Sequence, residues 1–143
     1  MSGPGGRKPA GVFTWQTPVY YQDTDAGGVV YYANYLGFME RARTEWLRAR
    51  GFSQASLAAD PGVLFAVAEA EIKYRRPARL DDVLVISCEP ALSGRAALEV
   101  RQQIWREREG GELLTEGRVR IVCVDATHFR PCRLPESILL EVG

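Results

Sequence analysis

A single helical stripe runs through this chain, and it limits the fold more than any other feature. Tyr35, Phe38, Met39, Ala42, Trp46 and Ala49 recur at spacings of three and four, with Glu40, Arg41, Arg43, Glu45 and Arg48 between them. At about 3.6 residues per turn, that spacing puts the apolar side chains on one face of a helix. Asn34 is expected as its N-cap and Gly51 as its C′ residue. A helix with one apolar face must lay that face on another layer of structure.

That layer is β. Ala66, Ala68, Ala70, Ile72 and Tyr74 alternate with Val67, Glu69, Glu71, Lys73 and Arg75, the period of two that marks a half-buried strand. Pro77 ends it, because proline cannot donate to a ladder. Val83 to Leu92, Arg95 to Arg106 and Leu113 to Val124 read as further strands, joined at Ser93-Gly94 and at Glu109-Gly110-Gly111-Glu112. Ahead of the helix, Val12 to Tyr21 is rich in aromatic and β-branched residues and reads as a first strand. Ser53 to Ala59 reads as one extra turn of helix, and Ile138 to Val142 as a short apolar closing segment. The order β-α-β-β-β-β predicts an α+β domain in which one antiparallel sheet faces one long helix. The alanines of the second strand allow either that helix or another subunit's sheet to approach closely.

A chain of 143 residues has room for one domain, placed at residues 12–143. Residues 1–11 are Gly/Pro-rich and basic, lack the apolar core of a signal peptide, and are expected to form a disordered tail. Eighteen basic residues balance eighteen acidic ones, so no overall field draws nucleic acid. No run is long and apolar enough for integral membrane association. Cys88, Cys123 and Cys132 lack C-x-x-C spacing and read as reduced, buried structural thiols of a cytoplasmic protein. His128, the only histidine, is expected on an exposed exit from the last strand. One histidine excludes a His-rich metal site, and no metal or organic cofactor is expected. Chemistry then falls to carboxylates, hydroxyls, thiols or the backbone.

Carboxylates and backbone meet in Asp23-Thr24-Asp25-Ala26-Gly27-Gly28, between the first strand and the helix. An acidic turn running into a helix N-terminus sets a carboxylate beside N–H groups with no helical acceptor. The first can attack a carbonyl or activate water, and the second can stabilise an oxyanion. The plain alternative for Asp25 is an Asx-turn or capping residue. Asp23 competes for the chemical role, and position along the chain does not rank the two. Gly27 and Gly28 allow a ligand close to the backbone. An Asp-x-Asp pair after a strand also opens the magnesium-dependent phosphotransferases, but their parallel sheet needs crossover helices that this chain lacks. The glycine pair has neither the G-x-G-x-x-G spacing nor the Lys-Ser/Thr ending of a phosphate loop. Tyr20, Tyr21, Tyr31, Tyr32 and Tyr35 read mainly as packing. Lys73, Arg75, Arg76 and Arg79, around Pro77, are either a solvated strand edge or a cation patch for the phosphates of a nucleotide-bearing substrate.

Asp23 to Tyr31, followed by Asn34-Tyr35 and by Glu40-Arg41-Ala42-Arg43-Thr44-Glu45, closely resembles the hotdog-fold acyl-CoA thioesterases. The likeness runs from about Val12 to Pro135 and includes Pro77-Ala78-Arg79-Leu80-Asp81-Asp82 and Cys123-Val124-Asp125. The nearest branch is the Tol–Pal-associated (YbgC-type) enzymes, with 4-hydroxybenzoyl-CoA thioesterases as relatives. The resemblance implies a five-stranded antiparallel sheet wrapped around one long central helix. It also implies homo-oligomers, as dimers that join their sheets or dimers of dimers, with active sites between subunits. The implied substrate is acyl-CoA, and links to the Tol–Pal pathway or to acyl carrier protein come by resemblance alone. Asp25 falls on the family's catalytic carboxylate, nucleophile or general base. The backbone N–H around Tyr32 falls on the oxyanion donor, and Tyr21 on a tyrosine that assists in some relatives. Gly27, Gly28 and Val29 are expected against the substrate, and Arg75, Arg76 and Arg79 near the phosphates of CoA. Tol–Pal-type members carry histidine at the position of Tyr32, seven residues after Asp25, whereas the 4-hydroxybenzoyl enzymes carry tyrosine. A backbone donor survives that exchange and an imidazole role does not. The alternative reading is a hotdog domain that binds acyl-CoA or a protein without turnover.

Overall fold

The helical stripe forms α1, Asn34–Ala49, in the computed structural model, which describes residues 12–142. The tail expected over residues 1–11 lies outside the described residues. The buried face of α1 is Tyr35, Phe38, Met39, Ala42, Trp46 and Leu47. Leu47, and not Ala49, completes it, because the short helix α2, Gln54–Ala59, brings Leu57 into the same apolar cluster. Asn34 is the first helical residue instead of the cap, which is Ala33 with no side-chain bond. The Asn34 amide is engaged elsewhere, donating from Nδ2 to the Asp23 carbonyl at 2.9 Å. Gly51 follows the last turn as expected, its N–H donating to the Arg48 carbonyl at 3.0 Å.

Five strands follow the expected order: β1 Phe13–Pro18, β2 Val63–Tyr74, β3 Val83–Ser93, β4 Ala97–Arg106 and β5 Glu112–Asp125. The closing segment is helical, α3 Glu136–Val142. β1 stops short of Tyr21 because the Tyr20 N–H goes to the Asp23 carboxylate at 2.8 Å and not to a neighbouring strand. Tyr21–Asp23 then form a single 3-10 turn. All pairings are antiparallel, in the order β1-β3-β4-β5-β2. The chain therefore leaves one edge of the sheet, lays α1 on the sheet and starts β2 at the opposite edge.

Two contacts fix how α1 sits. Gly117 of β5 lies under Met39, and a Cβ there would stand 2.8 Å from Met39 Cε and 2.8 Å from the Glu71 carbonyl oxygen. Beside it, the buried Gln102 donates from Nε2 to the carbonyls of Met39 at 2.9 Å and Ser87 at 3.2 Å. Its Oε1 accepts from Arg43 Nη1 at 3.0 Å. The amide is fully used, as a buried polar group must be.

β2 departs from the half-buried strand expected. From Ala66 to Glu71 it is exposed on both faces. It is an edge strand with no strand beyond it among the described residues, and its register against β5 slips between Val67 and Glu69, leaving Ala68 without an opposite residue. The period of two was present, but a strand's burial depends on its place in the sheet.

Gly117→Ala is expected to destabilise the fold by ~1–3 kcal/mol, the usual cost of overpacking a tight contact. Urea denaturation checks it: an unchanged midpoint would mean that α1 lifts from the sheet at no cost.

Candidate active site

The acidic segment closes as a small hairpin. Asp25 N–H donates to the Val29 carbonyl at 2.9 Å, and Tyr31 N–H donates to the Asp23 carbonyl at 3.1 Å. Gly28 N–H donates to the Asp25 carbonyl at 3.1 Å, and Gly28 has φ +80°, a conformation open to glycine and strained for most other residues. The second arm is held from outside: Val29 pairs with Arg79, and Val30 N–H donates to the Ala78 carbonyl at 2.8 Å. Asp25, Gly27 and Gly28 thus form the exposed tip, while Tyr32 stands just past the base.

Burial ranks the two aspartates. Asp23 is only 8% exposed, and its Oδ2 accepts from Tyr20 N–H at 2.8 Å. Its carbonyl holds both the Tyr31 N–H and the Asn34 amide. The N–H, the carbonyl and one carboxylate oxygen of Asp23 are all engaged in closing the loop. Asp25 is exposed, and its Oδ1 accepts from Gly27 N–H at 2.8 Å. That is an Asx-turn, so the plain alternative for Asp25 is correct as geometry. It does not exclude chemistry, because Oδ2 has no partner among the described residues and the turn fixes the direction of the carboxylate.

Beyond the hairpin base lie two unclaimed donors. The Tyr31 carbonyl accepts from Asn34 N–H at 2.8 Å, and the Tyr32 carbonyl from Tyr35 N–H at 3.4 Å. The N–H groups of Tyr32 and Ala33 meet no acceptor among the described residues. They are adjacent, exposed and at the start of α1, where the helix dipole adds positive potential. Tyr32 itself is 62% exposed; its ring sits 5.0 Å from that of Tyr31 and edge-on to Tyr74 at 6.3 Å. Tyr74 donates from its hydroxyl to the Tyr32 carbonyl at 3.2 Å. The buried Tyr35 accepts from Ala78 N–H at 3.0 Å. Burial raises both the Tyr35 and the Tyr74 phenols above the ordinary tyrosine range, so both stay protonated around neutral pH.

Val30, Tyr32, Tyr35, Tyr74, Arg75, Arg76 and Pro77 line one groove. The structure therefore brings Tyr32, Arg75 and Arg76 together, with Arg79 beside the hairpin through Val29. Arg75 is paired to Glu116 at 2.6 Å and Arg76 to Glu112 at 3.1 Å. Arg79 donates its backbone N–H to Asp82 Oδ2 at 2.8 Å, and its guanidinium has no ion pair among the described residues. Tyr21 is 81% exposed, and its phenol makes no hydrogen bond or ring contact among the described residues. Tyr74, which sequence reasoning passed over as a strand residue, joins the site; its only signal was its place at the strand end beside the basic run.

The remaining reactive side chains lie elsewhere. Cys88 lines an apolar cavity between α1 and the sheet with Arg43, Trp46, Phe65 and Val67. Burial pushes its thiol up to about 12 against the opposing pull of Arg43, so it holds its proton. Cys123 is pushed up to about 12 by burial and by Cys132, whose Sγ is 3.6 Å away. His128 is exposed, on the turn after β5, 3.6 Å from Asp125. Among the described residues no cluster of three His, Cys, Asp or Glu side chains is arranged to hold a metal, and no helix is long and apolar enough to cross a membrane.

Residues 27–113 match the thioesterase superfamily. Acyl-CoA thioester hydrolase YbgC of Escherichia coli O6:H1 is 46% identical over 130 residues, which cover 91% of this chain and 95% of that protein. A 1,4-dihydroxy-2-naphthoyl-CoA hydrolase of Nostoc punctiforme is 32% identical over 127 residues, 89% of this chain and 84% of that one. The crystal structure of a probable thioesterase from Bartonella henselae superposes with a TM-score of 0.80 at 35% identity, covering 87% of this chain and 99% of that chain. The family match over residues 27–113 and these identities along most of the chain place it plainly: the chain belongs to the thioesterase superfamily, as a hotdog-fold thioester hydrolase.

Proposed function

We propose that this protein hydrolyses acyl-CoA to the free acid and CoA, with Asp25 as nucleophile or general base and the N–H groups of Tyr32 and Ala33 as the oxyanion hole. One observation carries the reading. A single hairpin presents a carboxylate with a free oxygen and leads directly into two N–H groups with no acceptor among the described residues. Attack on a thioester carbonyl needs both, since negative charge builds on the carbonyl oxygen as the tetrahedral intermediate forms. The 46% identity to an acyl-CoA thioester hydrolase supports CoA as the thiol. Arg79 is a cation suited to its phosphates, being beside the hairpin with a guanidinium that forms no ion pair among the described residues. Arg75 and Arg76 join it by exchanging their surface ion pairs, each worth under about 1 kcal/mol, for a doubly charged phosphate.

The exposed edge of β2 favours a working unit of at least two copies joined at that edge. A two-face-exposed strand, paired on one side only and rich in alanine, is a template for a second strand. Val67, 54% exposed, lies on it and also lines the cavity between α1 and the sheet.

Asp25→Asn keeps the Asx-turn acceptor and removes the charge. It should lower kcat by at least ~10²-fold with no change in melting temperature, free thiol release from short, medium, long and aromatic acyl-CoAs being the readout. Turnover at the wild-type rate would sink the assignment. Tyr32→Phe is expected to leave kcat nearly unchanged, because the donor is backbone; a loss as large as that of Asp25→Asn would transfer the role to the hydroxyl. Val67→Asp should shift the protein to a monomer in sedimentation velocity, and a dimer of wild-type stability would rule out the β2 edge as the interface.

A further inference from the structure

The peptide between Tyr32 and Ala33 is held at one end and open at the other. Its carbonyl accepts from Tyr74 Oη at 3.2 Å and from Tyr35 N–H at 3.4 Å, and its N–H, on Ala33, has no acceptor among the described residues. The Tyr35 bond is long, at the limit of useful geometry, so the tyrosine hydroxyl is the shorter of the two restraints. A peptide plane is rigid, and fixing its C=O fixes the direction of its N–H. A hydrogen bond to the carbonyl also polarises the amide and strengthens the N–H as a donor. Tyr74 therefore bears on the oxyanion hole without touching it.

Its own position is set by the sheet. Tyr74 is the last residue of β2 and pairs with Thr115 of β5. Its ring packs on Tyr35 at 5.4 Å and stands edge-on to Tyr32 at 6.3 Å. Tyr35 is locked in turn by the Ala78 N–H on its hydroxyl. A loop peptide is thus braced from a strand end 42 residues away, which is how a donor on a loop is held in a precise direction. A purely packing role would need the ring alone. At 46% exposure, Tyr74 is not a core residue whose hydroxyl must be satisfied internally.

Resting on the oxyanion hole proposed above, we infer that Tyr74 is a positioning residue for thioester hydrolysis: its hydroxyl orients the Tyr32–Ala33 peptide so that the Ala33 N–H points at the developing oxyanion.

Tyr74→Phe separates the hydroxyl from the ring. With butyryl-CoA or benzoyl-CoA, whichever the wild type turns over faster, kcat should fall ~10-fold, less than the ~10²–10³-fold cost of deleting an oxyanion donor outright. KM and melting temperature should not move, and S-butyl-CoA, a thioether without the carbonyl, should inhibit both proteins equally. 3-Fluorotyrosine at position 74 restores the hydroxyl and should restore kcat. The inference is overturned by an unchanged kcat, by a loss that appears in KM or in melting temperature instead, or by a kcat that stays low with fluorotyrosine in place. Failure of the underlying reading looks different: Asp25→Asn would then turn over at the wild-type rate. An inactive Asp25→Asn beside a fully active Tyr74→Phe removes the positioning role alone.

Discussion

The side-chain amide of Gln102 donates to the main chain of α1 at Met39 and of β3 at Ser87, while its oxygen accepts from Arg43. Each of these groups is removed from bulk water, and each would be costly to leave alone; a single lost partner costs ~1–3 kcal/mol. The helix therefore cannot roll or slide on the sheet without breaking several bonds together. Gly117 adds the steric half of the same constraint. By having no side chain it lets Met39 descend until there is no space for a Cβ. Apolar burial drives the helix onto the sheet without choosing an angle; the Gln102 bonds and the Gly117 contact choose it.

The start of the helix inherits that position, and the site inherits it from the helix. Tyr35 lies one turn before Met39, and its hydroxyl takes the Ala78 N–H, while the Ala78 carbonyl takes the N–H of Val30 in the hairpin. From the other side Asn34 reaches the Asp23 carbonyl. The hairpin is thus gripped by the helix, by the segment after β2 and by its own buried aspartate. Only its tip is left open, and Asp25 is there. The division of labour between two acids two residues apart follows from this geometry. One carboxylate is consumed in closing the loop, so the other can be presented by it.

Much of this was written in local patterns. The stripe from Tyr35 to Trp46 and the alternation from Ala66 to Tyr74 are periodicities that any residue's neighbours reveal, and they gave α1 and the strands in the right order. The hotdog resemblance pointed to Asp25 through the residues around it. What stayed hidden depends on residues far apart in the chain. Nothing near Asp23 says that it is buried, since the group it serves is assembled from Tyr20, Tyr31 and Asn34. Asn34 has the composition of a cap, yet a carbonyl brought near by the hairpin outcompetes the helix end for its amide. β2 has the alternation of a half-buried strand, yet strand order puts it at an edge. Tyr74 was marked only by its place beside the basic run, because its hydroxyl meets a carbonyl 42 residues earlier.

The tyrosine at position 32 gains meaning from where its side chain goes. A residue that supplied catalysis through its side chain would aim that group into the hairpin. Tyr32 instead lays its ring between Tyr31 and Tyr74 along the groove, and its hydroxyl bonds nothing among the described residues. Its backbone does the reverse: the N–H is left open, and the carbonyl is tied to Tyr74 and Tyr35. A donor built from main chain is indifferent to the side chain that accompanies it, so exchange of histidine for tyrosine leaves the proposed oxyanion hole standing. What the exchange alters is the wall of the groove, where an aromatic ring adds apolar surface and a π-face. On the function proposed above, residue 32 bears on which thioester is admitted, while the reaction rests on Asp25 and on peptides that the sheet keeps in place.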